Sequence, residues 1–270
     1  MLPPIELVNT KIGNLLLFRN SDFISEELRK NGIWAEFESN LAILLSNLTG
    51  PSFILDIGAN LGSFCIPVAK KLAHQNISIH AFEPQRIIFQ QLNGNIFLNQ
   101  LDNCYTYNFA LGSNIDSFDL PIINYSQTKN IGAVSLLSEI QPITNVSYHP
   151  TDTEKIEIKT LDSLQIDGQC SFIKIDVEGY ESEVIAGSID FLERQSFPPI
   201  LFEEWRKGKF SGEVGNAVDK RQAKTRLLLS NLGYQFLNFG LETLAQHPNA
   251  RTEIAIENLR EGKYQLNRIR

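Results

Sequence analysis

Three stretches of the chain carry residue types spaced for chemistry. In the first, Phe53-Ile54-Leu55-Asp56-Ile57-Gly58-Ala59-Asn60-Leu61-Gly62, a short apolar run meets an acid and then a loop with two glycines flanking Asn60. Such a loop, between a strand and a helix, receives nucleoside-type cofactors at the strand's carboxyl end. A dinucleotide loop would present G-x-G-x-x-G to a pyrophosphate. Here the spacing is G-x-N-x-G, and Asp56 stands two residues ahead of Gly58. A carboxylate there opposes a diphosphate and suits S-adenosylmethionine, which carries an ammonium and a sulfonium and no phosphate. The expected cofactor is therefore S-adenosylmethionine, on Asp56, Gly58, Asn60 and Gly62.

The second stretch is Ala81-Phe82-Glu83-Pro84. An acid at the end of the next strand accepts hydrogen bonds from ribose hydroxyls, and Pro84 fixes the backbone as it leaves the strand. Further on, Asn108-Phe109-Ala110-Leu111-Gly112 closes a third strand. There the Asn108 side chain or a backbone amide near Ala110 would meet the adenine edge.

The third stretch is Phe172-Ile173-Lys174-Ile175-Asp176-Val177-Glu178-Gly179-Tyr180-Glu181. Strand alternation puts Lys174, Asp176 and Glu178 on one face and Ile173, Ile175 and Val177 on the other. Charges at the end of a buried strand are costly unless paired or functional. They form the candidate catalytic set, with a Lys–Asp ion pair as the structural alternative. Asp176 or Glu178 is the expected proton acceptor, and His149 and His80 are further candidates. The four histidines show no metal-ligand spacing, and no metal is expected. The alternative is a divalent ion on Asp176, Glu178 and Glu203 or Glu204.

The elements that must position these residues alternate. Strands are expected over 53–57, 77–82, 104–109, 171–176 and 200–203, with helices to about 74, over 87–98, over 180–192 and near 217–232. A terminal pair is read at 234–238 and 252–257. Ahead of these, 12–18 reads as a strand. A helix capped by Ser21 and Asp22 runs to Asn31-Gly32, and a second spans 35–48. The alternation means a doubly wound α/β fold with a mostly parallel sheet, both faces covered. Between the third and fourth strands, about 113–160, lie alternating runs and turn-rich stretches, read as an inserted β-rich lobe roofing the site. Residues 1–50 are read as a lid segment and 51–270 as the cofactor-binding domain.

Composition narrows the classes. The chain has 270 residues, 43% hydrophobic and 20% charged, as expected of a soluble globular protein. No run approaches the roughly 18 apolar residues of a membrane helix, and the N-terminus has no charged leader or apolar signal core, so a cytoplasmic location is expected. Cys65, Cys104 and Cys170 match no zinc or disulfide pattern and are expected to be free thiols. A net charge of −7 argues against nucleic acid as a partner. The basic cluster Arg206, Lys207, Lys209, Lys220, Arg221, Lys224 and Arg226 is read as a solvated face, the alternative being a mouth for an acidic substrate. Partners are expected to be a small-molecule acceptor, with no membrane. Oligomeric state is open.

From about Trp34 to Glu203 the chain resembles the FkbM-type family of S-adenosylmethionine-dependent methyltransferases. The resemblance rests on the three stretches above together with Ala110-Leu111-Gly112, Thr160-Leu161-Asp162-Ser163-Leu164 and Phe202-Glu203, in that family's order. It implies a seven-stranded class I methyltransferase sheet and methylation of hydroxyls on sugars and natural products. It carries the donor-loop role to Asp56, Gly58, Asn60 and Gly62, the ribose role to Glu83, and the near-methyl role to Asp176 and Glu178. The family's glutamate ahead of the first strand is matched by Glu36 or Glu38, and its turn in the insertion by Asn130-Ile131-Gly132-Ala133-Val134-Ser135. The expected activity is O-methylation of a small molecule. N-methylation and a non-catalytic nucleoside-binding module are the alternatives.

Overall fold

The computed structural model describes residues 2–19, 22–144, 146–205, 209–252, 254–258 and 264–268. In chain order the elements are β1 (Ile5–Asn9), β2 (Asn14–Phe18), α1 (Phe23–Asn31), α2 (Glu36–Thr49), β3 (Ser52–Ile57), α3 (Cys65–Leu72), β4 (Ile77–Phe82), α4 (Arg86–Leu98) and β5 (Cys104–Tyr107). The insertion contributes β6 (Ala110–Leu111), β7 (Asp116–Ile123) and β8 (Tyr148–Lys159). Then follow β9 (Cys170–Ile175), α5 (Glu181–Ala186), α6 (Ile189–Arg194), β10 (Ile200–Glu203), α7 (Gly212–Asn231), β11 (Gln235–Phe239), β12 (Glu242–Gln246), β13 (Ile254–Asn258) and β14 (Tyr264–Arg268).

Seven strands form the central sheet in the order β11-β12-β10-β9-β3-β4-β5. The five from β10 to β5 run parallel, and β12 pairs antiparallel with both β10 and β11. Every residue of β3 and β9 is buried, which is why both read as near-continuous apolar runs. The order reverses at β3, so its carboxyl end and that of β9 open a crevice.

The pleat divides the core. Ile54 and Phe172 join the cluster under α2 and α3, whereas Leu55, Ile57, Ile173 and Ile175 join the one under α5 and α6. In β3–β9 register Asp56 stands opposite Lys174, so both project to the α2–α3 side.

Four expectations are corrected. The N-terminal strand is a hairpin, β1 on β2, turning through Thr10-Lys11-Ile12-Gly13. The helix read over 180–192 is two, α5 and α6, because Asp162 intervenes: its amide donates to the Gly187 carbonyl, and its Oδ1 accepts from the Phe191 amide. The terminal strand at 234–238 pairs with β12 rather than with the second strand of the expected pair, of which β13 pairs antiparallel with β14. The face of alternating charge does not continue along β9, which ends at Ile175, so Asp176 and Glu178 stand on the following loop. At α1 the cap is Asp22, whose Oδ2 accepts from the Ser25 amide, while Ser21 lies outside the described residues. The insertion's β7 and β8 join β6, just ahead of it, in a three-stranded sheet ordered β6-β8-β7. Among the described residues no helix is long and apolar enough to cross a membrane.

Candidate active site

A cavity of about 620 Å³ opens at the carboxyl ends of β3, β4 and β9, within the range of small-ligand sites. Its floor is the loop from Ile57 to Asn60. The Gly58 and Ala59 amides both donate to the Phe82 carbonyl, tying this loop to the end of β4. Asn60 takes a positive φ of 51°, which Asn tolerates better than most residues, and its amide donates to Glu83 Oε2 at 3.0 Å. Glu83 Oε1 accepts from the Gln85 amide at 2.8 Å. Burial pushes the Glu83 carboxyl up to about 7, against the pull of those two amides. Each oxygen keeps a further lone pair for a ribose hydroxyl.

The roof comes from two places. Phe23 and Ile24 of α1, with Trp34, Phe37 and Glu38, cover one side, and Asn130, Gly132, Val134 and Leu136 of the insertion cover the other. The two halves are tied together: the Phe23 amide donates to Lys129 O, and Asp22 Oδ1 accepts from the Ile131 amide. Gly132 brings the insertion down onto the floor, where a Cβ would lie 2.3 Å from Asn60 Nδ2.

One wall is acidic. Asp176, Glu178, Glu203, Glu242 and Glu38 all line the cavity. Lys174, only 7% exposed, sits among them with its Nζ 3.0 Å from Asp176 Oδ2 and 4.0 Å from Asp56 Oδ1. Burial opposes its charge, but Asp176, Asp56 and Glu242 together hold its pKa above the ordinary lysine value. Among the described residues the remaining carboxyls form no ion pair, and Lys174 and Lys209 only partly offset their crowding. Glu178 is pushed up to about 8 by burial and by Asp176 and Glu181, and Glu203 to about 10 by burial and the same acidic neighbours. Glu242 rises to about 8 through burial and Asp176, with Lys174 opposing. Among the described residues, Asp176, Glu178 and Glu203 bring one carboxylate oxygen each within 4.8 Å of one another, a spacing a divalent cation can bridge. Glu204 is engaged elsewhere, by Arg226 and Thr243.

This wall has a consequence for stability. A carboxyl whose folded pKa lies above its ordinary 4.5 binds its proton more tightly folded than unfolded. The stabilisation is complete below about pH 4.5 and drains away as pH rises through 8 for Glu178 and Glu242 and through 10 for Glu203. The ligand-free protein should therefore melt at lower temperature at pH 9 than at pH 5.5. Glu203→Gln should recover several degrees at pH 9, on the order of 2–4 °C per kcal/mol for a chain of this size, and little at pH 5.5. A melting temperature that climbs toward pH 9, or a variant no more stable there, would contradict this account of the wall.

The expected site residues divide. Gly58, Asn60, Glu83, Ala110, Lys174, Asp176 and Glu178 line one cavity. Asp56 does not: it is fully buried on the α2–α3 side of β3, with the Cys65 amide and thiol against it. Burial raises its pKa to about 6, with Lys174 opposing. The anion expected to face the cofactor instead holds the lysine that positions Asp176. Gly62 likewise packs inward, against Ile66 and Leu92. Asn108 is exposed and donates to the carbonyls of Glu83 and Pro84, so it braces the end of β4 from outside. Glu36 is exposed, and it is Glu38, two residues on along α2, that reaches the cavity.

Neither histidine candidate lines the cavity. His80 stacks between Tyr105 and Tyr107 with Nδ1 2.8 Å from the Tyr107 hydroxyl, and burial lowers its pKa to about 4. His149 lies on β8 in the insertion. Ser135 is buried and accepts from the Leu137 amide. The basic cluster is largely internal pairing: Arg221 with Glu139 and Glu183, Lys224 with Glu183, Arg226 with Glu204. Lys209 reaches the cavity, and Arg206 and Lys207 lie outside the described residues. All three cysteines are free. Glu242 had no signal in the sequence, because it arrives by pairing opposite Glu203.

With this geometry in place, comparison with known proteins identifies the class. Residues 56–236, more than half of the chain, match the model of the methyltransferase FkbM domain. The chain belongs to that family, whose methyl donor is S-adenosylmethionine. No curated protein matches it in sequence. Among solved structures it is similar to an FkbM methyltransferase from Methylobacillus flagellatus KT, at 17% identity and TM-score 0.44, covering 74% of this chain and 41% of that one. It is also similar to a SAM-dependent O-methyltransferase from Thermotoga maritima (10% identity, TM-score 0.44, 98% and 71% covered). An SAH-bound methyltransferase from Podospora anserina is a third (11%, 0.46, 83% and 82%). The chain thus spans about two-fifths of the length of the first of these.

The cavity suits the donor on its own terms. Its lining offers the Glu83 carboxylate as a hydroxyl acceptor, apolar Phe109, Ala110 and Leu111, and an acidic wall that a cationic ligand would offset.

Proposed function

We propose that this chain transfers a methyl group from S-adenosylmethionine to a hydroxyl of a small, uncharged acceptor such as a sugar or natural product. The observation that carries this reading is the carboxylate pair Asp176–Glu178 inside a roofed cavity, one member clamped by Lys174 and the other with raised proton affinity.

When bound, the donor supplies a methyl group already activated for transfer. Lys174, anchored by Asp56, fixes Asp176 at the head of the cavity. Glu178, with a pKa near 8, takes the proton the hydroxyl gives up, since a base works best with its pKa close to the working pH. The α1–α2 segment and the insertion exclude water and align the acceptor, which is the larger part of the rate gain for an activated donor.

The same wall argues for oxygen over nitrogen as acceptor. A cluster of carboxylates stabilises an ammonium and so keeps an amine protonated and non-nucleophilic. A hydroxyl gains a base and suffers no such penalty. An acidic or phosphorylated acceptor would hold these carboxyls protonated and meet repulsion as Glu178 and Glu242 ionise near pH 8, so the wall favours a neutral one.

The test is a panel of hydroxylated acceptors with their amine and phosphate analogues, run with isotopically labelled donor. We expect O-methyl products by mass spectrometry and NMR, with phosphorylated acceptors at least tenfold (~1.4 kcal/mol) poorer. Methyl on nitrogen would overturn the oxygen assignment. Donor binding without transfer to any acceptor would support a non-catalytic module instead.

A further inference from the structure

Glu178 stands on a turn where a glutamate is unusual. The Tyr180 amide donates to the Val177 carbonyl at 3.3 Å and closes a turn over residues 177–180. Its two central residues, Glu178 and Gly179, both have positive φ, 53° and 93°. That is the signature of a mirror-image turn, whose first central place ordinarily goes to Asn, Asp or Gly because a larger side chain is crowded there. A glutamate holds such a conformation only where its surroundings over-determine it. Asp176 is fixed by its own backbone, since its amide donates to the Ile57 carbonyl. The place of Glu178, two residues on, depends on the turn.

Glu181 braces that turn. It is the first residue of α5, 6% exposed, and it stands outside the cavity lining. Its Oε1 accepts from the Val177 amide at 3.3 Å and from the Gly179 amide at 3.2 Å. The two donors flank Glu178 in the chain, so one oxygen holds the backbone on either side of it. A carboxyl has an acceptor oxygen whether or not it is ionised. The brace therefore needs reach more than charge. The turn also meets the insertion: a Cβ on Gly179 would lie 2.5 Å from Ile140 Cδ1.

We propose that Glu181 is a positioning residue for methyl transfer, holding through the Val177 and Gly179 amides the turn that presents Glu178 to the acceptor hydroxyl. The inference rests on Glu178 as the proton acceptor of that reaction. It gives the two acids of the cavity head separate supports, Lys174 for Asp176 and Glu181 for Glu178. A base displaced by about 1 Å can lose about 100-fold in rate, so a group that never touches substrate can govern turnover.

Three variants of the full chain separate reach from charge. Glu181→Gln keeps an oxygen at the same reach and loses the charge. Glu181→Asp keeps the charge and is one methylene too short, and Glu181→Ala has neither. Hydrogen exchange across residues 176–180 reads the turn and needs no acceptor. The Val177 and Gly179 amides should stay protected in Glu181→Gln and lose at least about tenfold of their protection in the other two. Turnover with the hydroxylated acceptors of the panel should stay within about fivefold in Glu181→Gln and fall about 100-fold in Glu181→Asp, while affinity for S-adenosylhomocysteine stays within about threefold. In a Glu178→Gln background, Glu181→Asp should cost no more than about threefold further, because the group it positions is already disabled. A merely structural role would cost as much in that background as in the wild-type one. Thermal melting confirms folding, and should Glu181→Ala not fold, the Gln and Asp variants carry the test. Unchanged protection in Glu181→Asp, equal losses in Glu181→Gln and Glu181→Asp, or a full further loss in the Glu178→Gln background overturns the assignment and leaves Glu178 as base. A Glu178→Gln variant as active as the wild-type protein overturns the base reading and this inference with it.

Discussion

Glu178→Gln should lower turnover by about 10²–10⁴-fold, the usual worth of a general base, while donor affinity changes by no more than about threefold. The substitution keeps the shape of the side chain and removes its ability to take a proton. The pH profile adds a readout that a merely structural residue would not move. In the wild-type protein the rate should rise with pH through a limb near 8, where Glu178 loses its proton in the folded state. That limb should vanish in Glu178→Gln. Asp176→Asn should instead move it toward lower pH, because Asp176 is, after burial, the largest influence raising the Glu178 pKa. Lys174 would still have Asp56 as partner in that variant, 4.0 Å away, so the head of the cavity should stay assembled. Wild-type turnover in Glu178→Gln would place the base elsewhere, and Glu203, within 4.8 Å of the same cluster, is where it would be sought next.

What was legible in the sequence was local. The loop from Asp56 to Gly62, the acid-proline corner at Glu83-Pro84 and the run from Lys174 to Glu178 are each a few consecutive residues whose order states their geometry. The loop, the corner and the exit of β9 stand at neighbouring carboxyl ends because the parallel pairing of β4, β3 and β9 puts them there. Two things were not local. Asp56 stands at a telling distance from the glycines, yet it is fully buried within β3 and does not reach the cavity. Its role passes through Lys174, its partner in register on β9. Glu242 belongs to β12, a strand without an apolar run (Glu-Thr-Leu-Ala-Gln), placed by antiparallel pairing with β10. No window of sequence short enough to show periodicity contains both partners.

Gly58→Ala should abolish measurable donor binding, a loss of about 100-fold or more, and should lower the melting temperature by several degrees, given roughly 2–4 °C per kcal/mol at this size. Two causes act together. Gly58 has φ +87°, where a Cβ costs about 1–2 kcal/mol on conformation alone. A Cβ there would also lie 1.9 Å from the Asp176 carbonyl oxygen and 2.9 Å from its carbon, and these are backbone atoms that no rotamer change can clear. The only relief is to part the donor loop from the chain leaving β9. That movement strains the bond from the Asp176 amide to the Ile57 carbonyl, 2.9 Å long, which holds the acidic head of the cavity against its floor. Gly212→Ala separates the two causes: its φ is +68°, and nothing lies within 4 Å of the added carbon. It should cost stability of about 1 kcal/mol and leave donor binding unchanged. If Gly58→Ala bound S-adenosylhomocysteine as the wild-type protein does, the loop from Ile57 to Asn60 would not be the floor on which the donor rests. Ile57 and Gly58 both meet the Asp176 backbone, where the loop from Ile57 to Asn60 touches the exit of β9. A single methyl group there therefore tests whether binding and chemistry share one frame.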